Sequence, residues 1–152
     1  MRLISRLMAS NAGAAIILVR LTVGAVFLSE GIQKFLFPVA LGPGRFAKIG
    51  FSAPEFTAYF VAVFEITCGT LILAGLLTRL AAIPTTIVMI VAITTTKLPM
   101  LRDGEFWKMA HEARVDYAML LGSVLLIVVG AGRWSFDHLL SRTPQTKSTT
   151  GD

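Results

Sequence analysis

Apolar positions in this chain gather into four long runs, separated by short polar or Gly/Pro-rich stretches. The runs cover roughly residues 13 to 37, 56 to 77, 79 to 98 and 115 to 132. About 20 apolar residues in a helix cross the roughly 30 Å of a bilayer's hydrocarbon core. A lone strand would leave its backbone groups unpaired in lipid, so each run predicts a helix. The expected fold is therefore an all-α membrane protein, a four-helix transmembrane bundle. Residues 1 to 140 form its single domain, and the polar stretch 141 to 152, without apolar period, predicts a disordered tail. The first run follows Arg2 and Arg6 as a signal peptide would, but it is long and is followed by further spans, so a retained helix is expected.

The connections differ in kind. Residues 38 to 54, PVALGPGRFAKIGFSAP, predict an ordered loop. The second and third runs are joined by little more than Leu77, Thr78 and Arg79, which forces an antiparallel pair. Residues 99 to 114 place charges of both signs around Phe106 and Trp107, a pattern suited to an amphipathic piece lying at the membrane interface. Thr94 to Thr96 and Pro84 predict a bend in the third helix.

Composition agrees with the pattern. Of 152 residues, 55% are hydrophobic and 15% charged, against about 25% charged in soluble domains. The net charge of +5 lies mostly at the ends of apolar runs, so lipid headgroups rather than nucleic acid are the expected partner. The flanks of the first run and the Arg79 link place both termini in the cytoplasm, in the cell (inner) membrane. One cysteine, Cys68, excludes an internal thiol relay. Two histidines, His111 and His138, lie outside the most apolar segments, so no haem ligand pair and no metal site is expected. HEARV at 111 to 115 lacks the second histidine of a zinc-protease motif and reads as an exposed charge cluster. Asp137 and His138 are expected to cap the end of the fourth helix or to meet headgroups.

The candidate chemistry lies inside the apolar runs. At 100° per residue, Arg20, Gly24, Phe27, Gly31 and Lys34 fall within about 80° on one face of the first helix, with Glu30 at its edge. The glycines Gly24 and Gly31 admit a close neighbour. Glu65 lies mid-way along the second run, with Cys68, Gly69 and Ile72 on its side. A carboxylate at that depth costs about 2.5–3.5 kcal/mol and is expected to be paired, protonated or hydrated. Glu65 is thus the candidate proton-carrying, catalytic residue. Arg20, Lys34 and Glu30 are candidate ligand-binding residues. Gly24, Gly31 and Gly69 are candidate helix contacts. Either Arg20 or Lys34 could meet Glu65. Plain structural ion pairing is the competing reading of all these charges.

The pattern R-x3-G-x2-F-x3-G-x2-K from Arg20 to Lys34, then FEITCGTLILAGLLTRLAA at 64 to 82 and GAGRWSFDHLL at 130 to 140, resembles the DoxX family of small four-helix membrane proteins. The likeness covers about residues 14 to 140. Phe136 stands where the family's closing motif usually has Leu, and the acid before the fourth helix is either Glu112 or Asp116. The resemblance implies kinship with the membrane subunit of archaeal thiosulfate:quinone oxidoreductase and with membrane partners of soluble redox enzymes. It implies a quinone as cofactor and a soluble oxidoreductase as partner. Three functions follow as expectations: a quinone-linked redox subunit with a pocket between the first two helices, a scaffold recruiting a soluble oxidoreductase through 38 to 54 and 99 to 114, or a small transporter or lipid-binding protein, for which a homo-oligomer would thicken the wall.

Overall fold

A computed structural model describes residues 13–141. The predicted tail therefore lies outside the described residues, apart from Ser141. Among the described residues the chain is helical throughout: α1 (Ile16–Leu36), α2 (Pro43–Lys48), α3 (Pro54–Ala74), α4 (Thr78–Ala92), α5 (Leu98–Arg102), α6 (Phe106–Val129) and α7 (Phe136–Ser141). A π-helical turn, Ile93–Lys97, joins α4 to α5 into one continuous rod. Its cause is local. The hydroxyls of Thr94, Thr95 and Thr96 donate to the carbonyls of Ile90, Val91 and Ala92 at 2.9, 2.7 and 2.6 Å. Those carbonyls are shared, and the Leu98 N–H reaches back to Ile93 instead of Thr94.

Three helices are long and apolar enough to cross a membrane: α1, α3 and the rod Thr78–Arg102. The fourth long helix differs from its sequence expectation. It begins at Phe106, not near residue 115, and so absorbs half of the stretch read as an interfacial piece. Its first turns carry Lys108, His111, Glu112, Arg114 and Asp116, and only its second half is continuously apolar. The four-span count thus narrows to three apolar spans and one helix of mixed character. The rod runs four residues past the expected end at 98. The 38 to 54 connection holds the short helix α2, entered through Pro43 at its first turn.

α1 packs chiefly against α3, and α4 against α6, while α3 and α4 are antiparallel neighbours. Val23, Phe27, Cys68, Ile72, Ala81, Ala82, Met119 and Leu126 form the buried core. Leu18, Phe56, Phe60, Ile87, Leu121 and Val128 face outward. In water such a surface would be an aggregation liability, whereas in hydrocarbon it is the ordinary lipid-facing side.

The α1–α3 contact is close because it is made of backbone. A Cβ added at Gly69 would stand 2.6 Å from the Leu28 nitrogen, and one at Gly24 2.9 Å from the Gly69 carbonyl oxygen. At Gly31 the Ala62 oxygen would be 2.8 Å away. Backbone cannot swing aside as a side chain can, so each added carbon pushes the helices apart. Gly69→Leu is expected to cost at least about 1–3 kcal/mol of stability. Thermal unfolding in detergent checks it; a midpoint equal to wild type would refute the backbone-contact account.

Candidate functional site

Lys34 lies in the last turn of α1 and Glu65 in the middle of α3. The two helices run antiparallel, so these positions come level. Lys34 Nζ donates to Glu65 Oε2 at 2.6 Å. Of the two cations that the sequence left open, Lys34 is the one that reaches Glu65. The pair is 8% and 3% exposed. Lys34 also reaches the Glu30 carbonyl oxygen at 3.4 Å, and Glu30 Oε2 at 3.8 Å. The Glu30 side chain is half exposed, so the cluster opens sideways on its side. Cys68 is buried in the core one turn after Glu65.

Arg20 belongs to a different site, about four turns from Lys34 at the other end of α1. Its Nη1 donates to the carbonyls of Ala131 at 2.9 Å and Trp134 at 2.7 Å. It thereby holds the turn that follows α6. That turn folds back because Gly130 and Gly132 adopt φ of 85° and 82°, which side chains disfavour.

Asp137 corrects its sequence expectation. It does not cap the end of the fourth helix. Its carboxylate accepts from the Leu77 N–H at 2.7 Å and the Thr78 N–H at 3.0 Å, and so caps the start of α4. Its own N–H donates to the Gly75 carbonyl at 2.9 Å. Leu77 sits at φ 49°, an uncommon conformation for a residue with a side chain, held by that carboxylate. A helix cap supplied from 60 residues away left no local signal beyond the closing GAGRWSFD itself.

A third buried cation, besides Lys34 and Arg20, has no counterpart among the sequence expectations. Lys97, on the π turn, is 7% exposed and lies 3.5 Å from Asp116 and 3.7 Å from Glu112 on α6. HEARV is therefore not only an exposed cluster, since Glu112 faces a buried lysine. Both acids suggested for the position before the fourth helix take part. The pairing of Lys97 with acids on a separate helix had no signal in local spacing. Thr85 and Ser123, both buried, add a hydrogen bond of 3.1 Å between α4 and α6.

Two ion-pair clusters thus occupy one end of the bundle, and Arg20 with Asp137 the other. Two surface cavities are also present. One, about 390 Å³, lies between α1 and α6 and is lined by Val19, Thr22, Met119 and Gly122 among others. The other, about 490 Å³, is bordered by Arg20. Neither is lined by Lys34 or Glu65.

Apolar spans with outward-facing aliphatic side chains and inward-facing ion pairs define an integral membrane protein. The DoxX family model matches residues 15–98, and the chain belongs to that family. It is 52% identical, over 143 residues covering 90% of this chain and 88% of the relative, to "Uncharacterized membrane protein Rv3486" of Mycobacterium tuberculosis (strain ATCC 25618 / H37Rv). It is 31% identical over 121 residues, 76% of this chain and 78% of the relative, to "Putative oxidoreductase CatD" of Bacillus subtilis (strain 168). No solved structure matches it at a significant level.

Breaking a buried pair strands a charge, whereas removing both partners does not. Lys34→Met and Glu65→Leu are each expected to destabilise the protein by about 3–5 kcal/mol, and the double variant to recover most of that loss. Unfolding in detergent completes the cycle. Additive losses would show that the two side chains do not depend on each other.

Proposed function

We propose that this protein is a redox-associated membrane subunit, and that the Lys34–Glu65–Glu30 cluster is its quinone-interacting site. The observation that carries the reading is the 2.6 Å ion pair, buried between α1 and α3 yet adjoining a half-exposed carboxylate. The donor set suits a quinone carbonyl. Lys34 has three N–H donors; Glu65 takes one and the Glu30 carbonyl a second, more weakly. The third can serve a ligand entering past Glu30. A bound quinone supplies an acceptor for two electrons and two protons. Lys34 would orient the carbonyl, and Glu65 would pass a proton through Lys34 or directly. The electrons would come from a partner, since the chain offers one buried thiol and no disulfide partner for it. The name of the Bacillus subtilis relative supports a redox setting.

A second reading, a scaffold for a soluble oxidoreductase, is favoured by one observation. Trp107 is 83% exposed beside Phe106, on the same side of the bundle as α2. The two readings are compatible with one complex. Protein captured in native lipid discs, with small molecules and proteins read together by mass spectrometry, separates them. Quinone enriched with wild type and depleted with Glu65→Gln is the expected result. Equal quinone in both, or none in either, overturns the quinone site. A soluble enzyme captured without quinone leaves the scaffold reading in its place.

We also place α6 across the membrane. Residues 113–129, at 1.5 Å per residue, reach about 26 Å, and Ser123 bonds to Thr85 inside the bundle. Four crossings then put both termini on one side, read as the cytoplasmic side of the cell membrane from Arg79, Arg133 and the basic flanks. Single cysteines at Lys48 and at Ser141, in a Cys68→Ala background, test this with a membrane-impermeant thiol reagent on intact cells. Labelling at 48 alone is expected; labelling at both or only at 141 contradicts the arrangement.

A further inference from the structure

At the end of the bundle opposite Lys34, a groove of about 490 Å³ opens between α1, the C-terminal end of α3 and the segment after α6. Its walls are of two kinds. Ile17, Leu73 and Leu139 are apolar, while Arg20 and Arg133 are cationic, with Trp134 at the rim. Arg20 is 4% exposed. Its Nη1 is spent on two carbonyls, but its Nε has no hydrogen-bond partner among the described residues. A buried guanidinium normally has its donors satisfied, so this one has capacity left. Arg133 is exposed and has no carboxylate partner among the described residues. The nearest acid, Asp137, has both oxygens engaged by the Leu77 and Thr78 amides.

The depth of the groove narrows the ligand. Arg20 lies four residues inside the start of α1, about 6 Å along its axis. Trp134, largely exposed, is the residue type that settles at headgroup level. An exposed guanidinium without a carboxylate partner, Arg133, beside a second one with an unpartnered Nε, Arg20, attracts an anion at that level, and guanidinium forks match phosphate geometry. The apolar wall beside them continues the lipid-facing surface, which suits an acyl chain.

We propose that this groove is a binding site for one anionic phospholipid, with its phosphate between Arg133 and Arg20 and a chain along Ile17, Leu73 and Leu139. The site lies away from Lys34 and Glu65 and does not depend on their role.

The test uses the full-length protein, delipidated in uncharged detergent, and native mass spectrometry. Phosphatidylglycerol and phosphatidylcholine of identical chains are titrated, with inorganic phosphate as a third arm. Wild type is expected to bind one phosphatidylglycerol at least about tenfold more tightly than phosphatidylcholine. Arg133→Gln should weaken phosphatidylglycerol by about fivefold or more and leave phosphatidylcholine unchanged. Lys48→Gln, an exposed cation at the other end, should change neither. Arg133 is exposed and makes no hydrogen bond or ion pair among the described residues, so its loss does not threaten folding. Equal binding of the two lipids, or full binding by Arg133→Gln, overturns the proposal. Displacement of the lipid by millimolar inorganic phosphate would also overturn it, assigning the groove to a soluble anion.

Discussion

Arg20, Glu65 and Asp137 are each at most 4% exposed, in a chain whose outer surface is built for hydrocarbon. So deeply buried a charge is cut off from bulk water, so it must find most of its partners in the protein. That requirement shapes the bundle more than apolar packing does. Lipid tails are as apolar as Leu, and little hydrophobic force draws the helices together once they are inserted. What remains is close backbone contact and polar pairing. The α1–α3 interface uses both, with glycines that bring the backbones together and a lysine–carboxylate pair that fixes their register.

The other end of the bundle answers the same requirement with backbone partners. Arg20 takes two carbonyls from the turn after α6, and Asp137 takes two amides from the start of α4. A helix start leaves donors orphaned, and the end of a helix leaves carbonyls orphaned. Asp137 satisfies donors at the start of α4, and Arg20 satisfies two carbonyls of the turn beyond the end of α6, within one small region. The sharp α3–α4 link, with its left-handed Gly75 and Leu77, is tolerable because Asp137 holds it from outside.

Much of this was legible in the sequence, for reasons that can be stated. Hydropathy marks α1, α3 and the rod because lipid exposure demands apolar side chains all round. The stripe from Arg20 to Lys34 was visible because helical periodicity places it on one face. The sequence could not choose between Arg20 and Lys34 as partner for Glu65, since that depends on how far α1 slides along α3. It also misplaced the start of α6. The charges of Glu112, Arg114 and Asp116 interrupt hydropathy but not helix formation, because two of them answer Lys97 across the interface. Asp137 was misread for a related reason. Its neighbours suggest a local cap, yet the helix it caps begins 60 residues earlier in the chain.

Lys97 and Lys34 make a useful contrast. Both are buried lysines near the same end of the bundle, and both face two carboxylates. Lys34 has one acid at 2.6 Å and buried, so its charge is neutralised at short range within the protein. Lys97 has two at 3.5 and 3.7 Å, both with side chains open to the surroundings, and sits on a π turn where the helix ladder is already relaxed. A short buried pair fixes a register. A looser cluster beside an irregular turn can exchange partners, and such turns recur at functional sites. The bundle thus carries a short, buried ion pair on α1–α3 and a longer, partly exposed cluster on α4–α6, at the same end.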